Sequence, residues 1–131
     1  MRETDIDVIS RTHGGVVRKM RLWAADTDDE HARGLRGIDS LPFGIDGMIF
    51  DFQNSSWRSM SMWNCHFPLA FLFINESFQI RQIILPVEPD DQRPPIITSE
   101  MPVRYVIELT AEAFAATRQA DINDLIDIKE N

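Results

Sequence analysis

The chain has 131 residues, 44% of them hydrophobic and 26% charged, which supplies apolar content for one buried core and excludes the signature of intrinsic disorder. Twenty-one acidic against thirteen basic residues leave a net charge of -8, which opposes loose binding to phosphate backbones and excludes nucleic acid as an expected partner. A single cysteine, Cys65, excludes an intramolecular disulfide.

The opening reads as a β-hairpin. Ile6 and Val8 alternate with Asp5 and Asp7, His13-Gly14-Gly15 tolerates the positive φ of a turn, and residues 16–25 form the return strand. Residues 1–7 carry two acids before Ile6 and no apolar stretch of a signal peptide, so a cytoplasmic or virion location is the expectation. Arg11, Arg18, Lys19 and Arg21 read as solvated strand charges and not as a binding stripe.

Thr27 with Glu30 three residues later is a capping box, so a short helix is predicted from Asp28 to about Leu35, ending near Gly34 or Gly37. After Leu41-Pro42-Phe43-Gly44, a strand starts at Gly47 with Met48, Phe50 and Phe52 on one face. Asn54-Ser55-Ser56 turns the chain into a strand over residues 57–63, with Met60 and Met62 opposite Trp57 and Trp63. Residues 67–75 are almost wholly apolar, as befits a central strand covered on both faces, and eight such residues with a proline are too few to span a bilayer.

Residues 79–87 alternate as the next strand, and Pro86, Pro89, Pro94 and Pro95 then mark a long surface loop. Residues 103–109 form another strand, Thr110 caps an Ala-rich helix over residues 111–118, and Ile122 to Ile128 close the chain in a final strand. No linker or repeat divides the chain, so a single domain over residues 1–131 is expected. Its predicted class is mainly β, an antiparallel β-sandwich or partly closed barrel with two short helices.

Four ordered blocks resemble the domain of unknown function 192 family, a group of small β-sandwich proteins. They are Arg33-Gly34-Leu35 after the short helix, Gly47-Met48-Ile49-Phe50 at a strand start, Met62-Trp63-Asn64 running into Pro68-Leu69, and Tyr105-Val106-Ile107-Glu108-Leu109. The resemblance extends over about residues 17–128. It departs where the family pattern has an acid after Pro-Leu and this chain has Ala70, where it has Trp before Met and this chain has Ser61, and where Glu112 replaces a common Gly. The resemblance implies that a site needing that acid is absent or altered here. Many relatives carry an export signal that this sequence lacks, and some are encoded in phage genomes.

Chemistry is sparse. Cys65 and His66 are strand neighbours pointing to opposite faces, so they form no direct dyad, and Cys65 reads as a buried structural residue. His13, His31 and His66 have no ligand spacing, Asp28-Asp29 and Asp90-Asp91 read as solvated, and no glycine pattern cradles a phosphate. No metal or cofactor is therefore expected, and no catalytic residue. Glu108 interrupts an apolar strand and reads as a structural ion pair with an arginine such as Arg33.

The leading expectation is a non-catalytic binding or assembly module, with a phage virion component as one form of it, that presents Trp57 and Trp63 to a protein partner or to a second copy. The competing expectation is a small-molecule binding protein or enzyme whose pocket gathers Arg33, Asn64, His66 and Glu108.

Overall fold

A computed structural model describes residues 1–116 and 120–129. Nine strands and two short helices follow one another as β1 (Arg2–Ile9), β2 (Val16–Ala25), α1 (Asp28–Arg33), β3 (Gly47–Ser56), β4 (Ser59–Ser61), β5 (Leu69–Ile74), β6 (Ile80–Val87), β7 (Ile96–Thr98), β8 (Val103–Thr110), α2 (Ala111–Ala116) and β9 (Leu125–Lys129). The mainly β class with two short helices is thus present. Seven strands form one sheet in the order β6-β5-β8-β3-β2-β1-β9, while β4 and β7 pair separately. The large sheet does not close into a barrel, although a lone bridge between Gln79 and Leu125 draws its two ends together.

Local chemistry explains the early elements. Gly14 takes φ 72° in the hairpin turn, and β1 then pairs antiparallel with β2 from Arg2 opposite Ala24 to Ile9 opposite Val16. The Thr27 hydroxyl accepts from the Glu30 N–H, and the Glu30 carboxylate accepts from the Thr27 N–H, so the capping box is complete. Arg18, Lys19 and Arg21 pair with Asp46, Asp7 and Asp5, so three of the four members of the basic cluster have acidic partners.

Every neighbouring pair in the large sheet is antiparallel except β2 and β3, which run parallel from Leu22 opposite Gly47 to Ala25 opposite Phe50. Parallel neighbours need a crossover of a dozen or more residues, and here α1 with residues 34–46 makes it across one face. That crossover places the Arg33-Gly34-Leu35 segment over the centre of the sheet.

Both faces of the sheet are consequently covered. All six residues of β5 are buried: Leu69, Phe71 and Phe73 join Leu35, Met48, Phe50, Met60 and Met62 on the crossover face. Ala70, Leu72 and Ile74 join Ile6, Leu22, Ile107 and Ala113 on the other. A fully buried Phe or Leu contributes roughly 1.5–3 kcal/mol, so the two layers, not the short helices, dominate stability. Among the described residues no helix is long and apolar enough to cross a membrane.

Several predicted elements differ in extent: β3 continues through the turn expected at Asn54-Ser55-Ser56, with Ser56 opposite Val103, and β5 is Leu69–Ile74. The strand expected over residues 57–63 is only Ser59–Ser61, and the final strand starts at Leu125 because Asn123, at φ 73°, turns the chain first. The helix expected over residues 111–118 is described as Ala111–Ala116, and residues 117 and 118 lie outside the described residues.

Candidate functional site

Glu108 sits in the middle of β8, which is itself flanked by β3 and β5. Its register partners are Met48 on one side and Phe71 on the other. Alternation sends Ile107 and Leu109 to the opposite face and puts Glu108 on the crossover face with Val106. There it is 3% exposed. Burial among apolar neighbours pushes its carboxyl up to about 8, because the charged form loses water without a compensating partner.

The expected Glu108–Arg33 ion pair does not form. Among the described residues no cation lies within ion-pair distance of Glu108, and burial alone accounts for its shifted acidity. Strand alternation correctly turns Glu108 away from Ile107 and Leu109. The face it turns toward is a second core layer instead of solvent.

Glu108 forms part of a cleft of about 190 Å³ that lies between the end of α1 and β4. The α1 side is fixed by its caps. Gly34 ends the helix at φ 50°, where a side chain is strained, and its Cβ position lies 3.5 Å from the Phe50 ring. Leu35 then drops into the core, 1% exposed. His31 donates its Nε2–H to the Ala25 carbonyl at 2.8 Å and lies tilted 4.6 Å from the Phe52 ring, which anchors the helix to the sheet below.

Arg33, Arg36, Ser59, Ser61 and Cys65 complete the polar lining. No carboxylate of the described residues pairs with Arg33 or Arg36, although Arg36 stands 5.0 Å over the Trp63 ring. Cys65 is buried, and desolvation together with the Glu108 charge pushes its thiol up to about 11, against the opposing effect of Arg36. A thiol so protonated at neutral pH is a poor nucleophile, which agrees with a structural role.

The other sequence-predicted residues divide. Trp57 and Trp63 are exposed, at 62% and 54%, while Met60 and Met62 are buried, as the strand pattern anticipates. Asn64 and His66 lie in the loop after β4 and do not line the Glu108 cleft. Asn64 takes φ 57°, its carbonyl accepts from the Gly37 N–H, and its side-chain oxygen lies 3.1 Å from His66 Nε2. His66 Nδ1 in turn contacts Asp39 at 2.7 Å. Arg33 and Glu108 therefore share one cleft, and Asn64 and His66 form a separate exposed relay.

Sequence reasoning missed Asp39, Arg36 and Gly47. Asp39 carries no local signal, since its partner His66 lies 27 residues away. Arg36 had one, because it follows Arg33 by three positions at the helix exit. Gly47 is required by a close approach: a Cβ there would lie 1.8 Å from the Glu108 carbonyl oxygen. His13, His31 and His66 lie in separate elements, and no group of three metal-ligating side chains occurs among the described residues.

The model of the domain of unknown function 192 family, described as an uncharacterized ACR, matches residues 8–126. The chain belongs to that family. Its fold is also that of a candidate transcription regulator from Sinorhizobium meliloti 1021, with TM-score 0.82, 25% identity, and coverage of 97% of this chain and 94% of that one. A protein of unknown function from Novosphingobium aromaticivorans DSM 12444 is similar at TM-score 0.77 and 23% identity, covering 94% and 83% of the two chains. No curated protein matches.

Matched residues of three of the four segments that carry the resemblance to the domain of unknown function 192 family line the cleft, and the third segment reaches it through unmatched positions. Arg33, Gly34 and Leu35, then Phe50, then Cys65 within the third block, and finally Glu108 all line it. Ala70, where the family pattern has an acid, faces the other core layer beside Leu109 and lies outside the cleft. Ser61 does line it, so that departure changes a cleft wall and the one at Ala70 does not.

Proposed function

We propose that this member of the domain of unknown function 192 family is a small-molecule binding protein whose ligand enters the cleft at Glu108. The observation that carries this reading is a buried carboxyl, without an ion-pair or hydrogen-bond partner among the described residues, in a cleft built from four separated sequence blocks. Burial disfavours the charged form of this group, and a ligand that hydrogen-bonds to it offsets part of that penalty. About 190 Å³ admits a molecule of roughly benzene size, since an apolar cavity of about 150 Å³ takes benzene.

A fragment screen by amide NMR tests it. Small anionic, neutral and cationic fragments are added in turn, and at least one is expected to shift the Leu35, Phe50, Cys65 and Glu108 signals together. Shifts confined to other surfaces, or none, would sink the reading. The description of the Sinorhizobium protein as a candidate regulator fits a ligand-sensing role for this chain better than DNA contact, given the net charge of -8.

Exposure of Trp57 and Trp63 favours a second reading, contact with another copy of the chain or with a protein partner through these rings. In that case Trp57→Ala with Trp63→Ala stays folded and shifts the mass seen by light scattering from dimer to monomer. A wild-type chain that is already monomeric at high concentration removes the self-association form of this reading.

A further inference from the structure

We infer that the cleft selects a small organic anion of the monocarboxylate class, held by the Arg33 and Arg36 guanidinium groups at the lining and by a hydrogen bond with the Glu108 carboxyl. This inference rests on the ligand-binding reading of the cleft. Two features of the lining decide the sign of the ligand. The first is charge: Arg33 and Arg36 leave the end of α1 with no carboxylate paired to them among the described residues, and, although Arg11, Arg58, Arg81 and Arg93 also have none, these two are the arginines that line the cleft. Guanidinium groups match carboxylates in a planar, two-bonded geometry, and they repel an incoming amine.

The second feature is the state of the one acid in the lining. The titratable groups facing Glu108 are His31, Arg33 and Arg36 from α1 and the turn after it, and Cys65 from the loop after β4. From β3, β5 and β4 its neighbours are Met48, Phe50, Phe52, Phe71 and Met60 with the two serines, and among the described residues none of them hydrogen-bonds to its carboxyl. Glu108 is therefore a neutral acid at pH 7, with an O–H to donate. An ammonium ligand would require that buried acid to ionise and would itself be repelled by the two arginines. A carboxylate needs no such change, and it accepts the hydrogen bond that Glu108 otherwise lacks. Phe50, Phe52 and Met60 receive its apolar end.

Binding then depends on a proton. Affinity for a carboxylate is highest while Glu108 is protonated and falls about tenfold per pH unit above its folded pKa, because the ligand excludes the ionised form. Calorimetry with benzoate, propionate, benzylamine and benzyl alcohol at pH 6.5 and 9.5 tests this. The carboxylates are expected to bind, with affinity falling about 30-fold between those pH values. Glu108→Gln, which keeps a donor but cannot ionise, is expected to bind them with no such fall, and Arg33→Gln with Arg36→Gln to bind them at least about tenfold more weakly while remaining folded.

Preference for benzylamine, or carboxylate affinity that rises with pH, overturns the inference and leaves the cleft a ligand site. Binding of benzyl alcohol alone does the same. Failure of all four probes to bind, with none shifting the cleft signals, overturns both the inference and the reading on which it rests.

Discussion

Gly47→Ala is expected to destabilise the protein by about 3 kcal/mol or more, at or above the upper end of what overpacking a core usually costs. The reason is a contact with backbone. A Cβ at position 47 would lie 1.8 Å from the Glu108 carbonyl oxygen, 2.9 Å from its carbonyl carbon and 3.0 Å from the Leu109 Cα. None of these atoms can rotate aside as a side chain can, so β3 and β8 must separate where Gly47 pairs with Leu109 and Met48 with Glu108. Gly47 is not needed for an unusual φ; Gly34, at φ 50°, is needed for that reason instead. With total stability for a domain of this size at about 5–15 kcal/mol, the loss is a large share. Urea denaturation measures it, and a midpoint equal to that of wild type would remove the close approach as the reason for glycine here.

What could be read from the sequence had a local cause. The Gly14 turn, the Thr27–Glu30 capping box and the doubly buried strand β5 each declare themselves within a few residues. The Met60 and Met62 burial followed from period-two alternation even though the strand there proved short. What could not be read depends on partners distant in sequence. Nothing near Leu22 announces a parallel neighbour at Gly47, and β7 after the proline loop exists because Ile96–Thr98 finds β4 across from it. The site divides by the same rule. Glu108 stood out as a charge in an apolar strand and Arg33 as part of the Arg33-Gly34-Leu35 block, but their separation as non-paired groups in one cleft requires the crossover made by the parallel pair. Asn64 and His66 were expected beside them, and a positive φ at Asn64 swings that loop instead toward Gly37 and Asp39.

Glu108 makes the free protein lose stability as pH rises from about 4.5 to about 8. In the unfolded chain the carboxyl ionises near its ordinary value of 4.5, whereas in the folded chain burial holds the proton until about 8. Between those values the unfolded state has released a proton that the folded state still binds, so every increase in pH favours unfolding. The full difference is about 5 kcal/mol, of which about 3 kcal/mol is already present at pH 7. Other shifted carboxyls act in a different window and with the opposite sign. Asp5 is lowered chiefly by its hydrogen bond from Arg21, and Glu30 by the N–H groups of Asp26 and Thr27, so their contributions are lost as pH falls through the acid range. Chemical denaturation at pH 5, 7 and 9 therefore isolates Glu108. Glu108→Gln is expected to match wild type within about 1 kcal/mol at pH 5 and to exceed it by several kcal/mol at pH 9, with a nearly flat profile between. Parallel profiles for the two proteins would show that the carboxyl finds a partner on folding. A falling wild-type profile leaves an acid that weakens the free fold at neutral pH, and under the proposed ligand-binding reading a ligand that accepts its hydrogen bond would offset that cost.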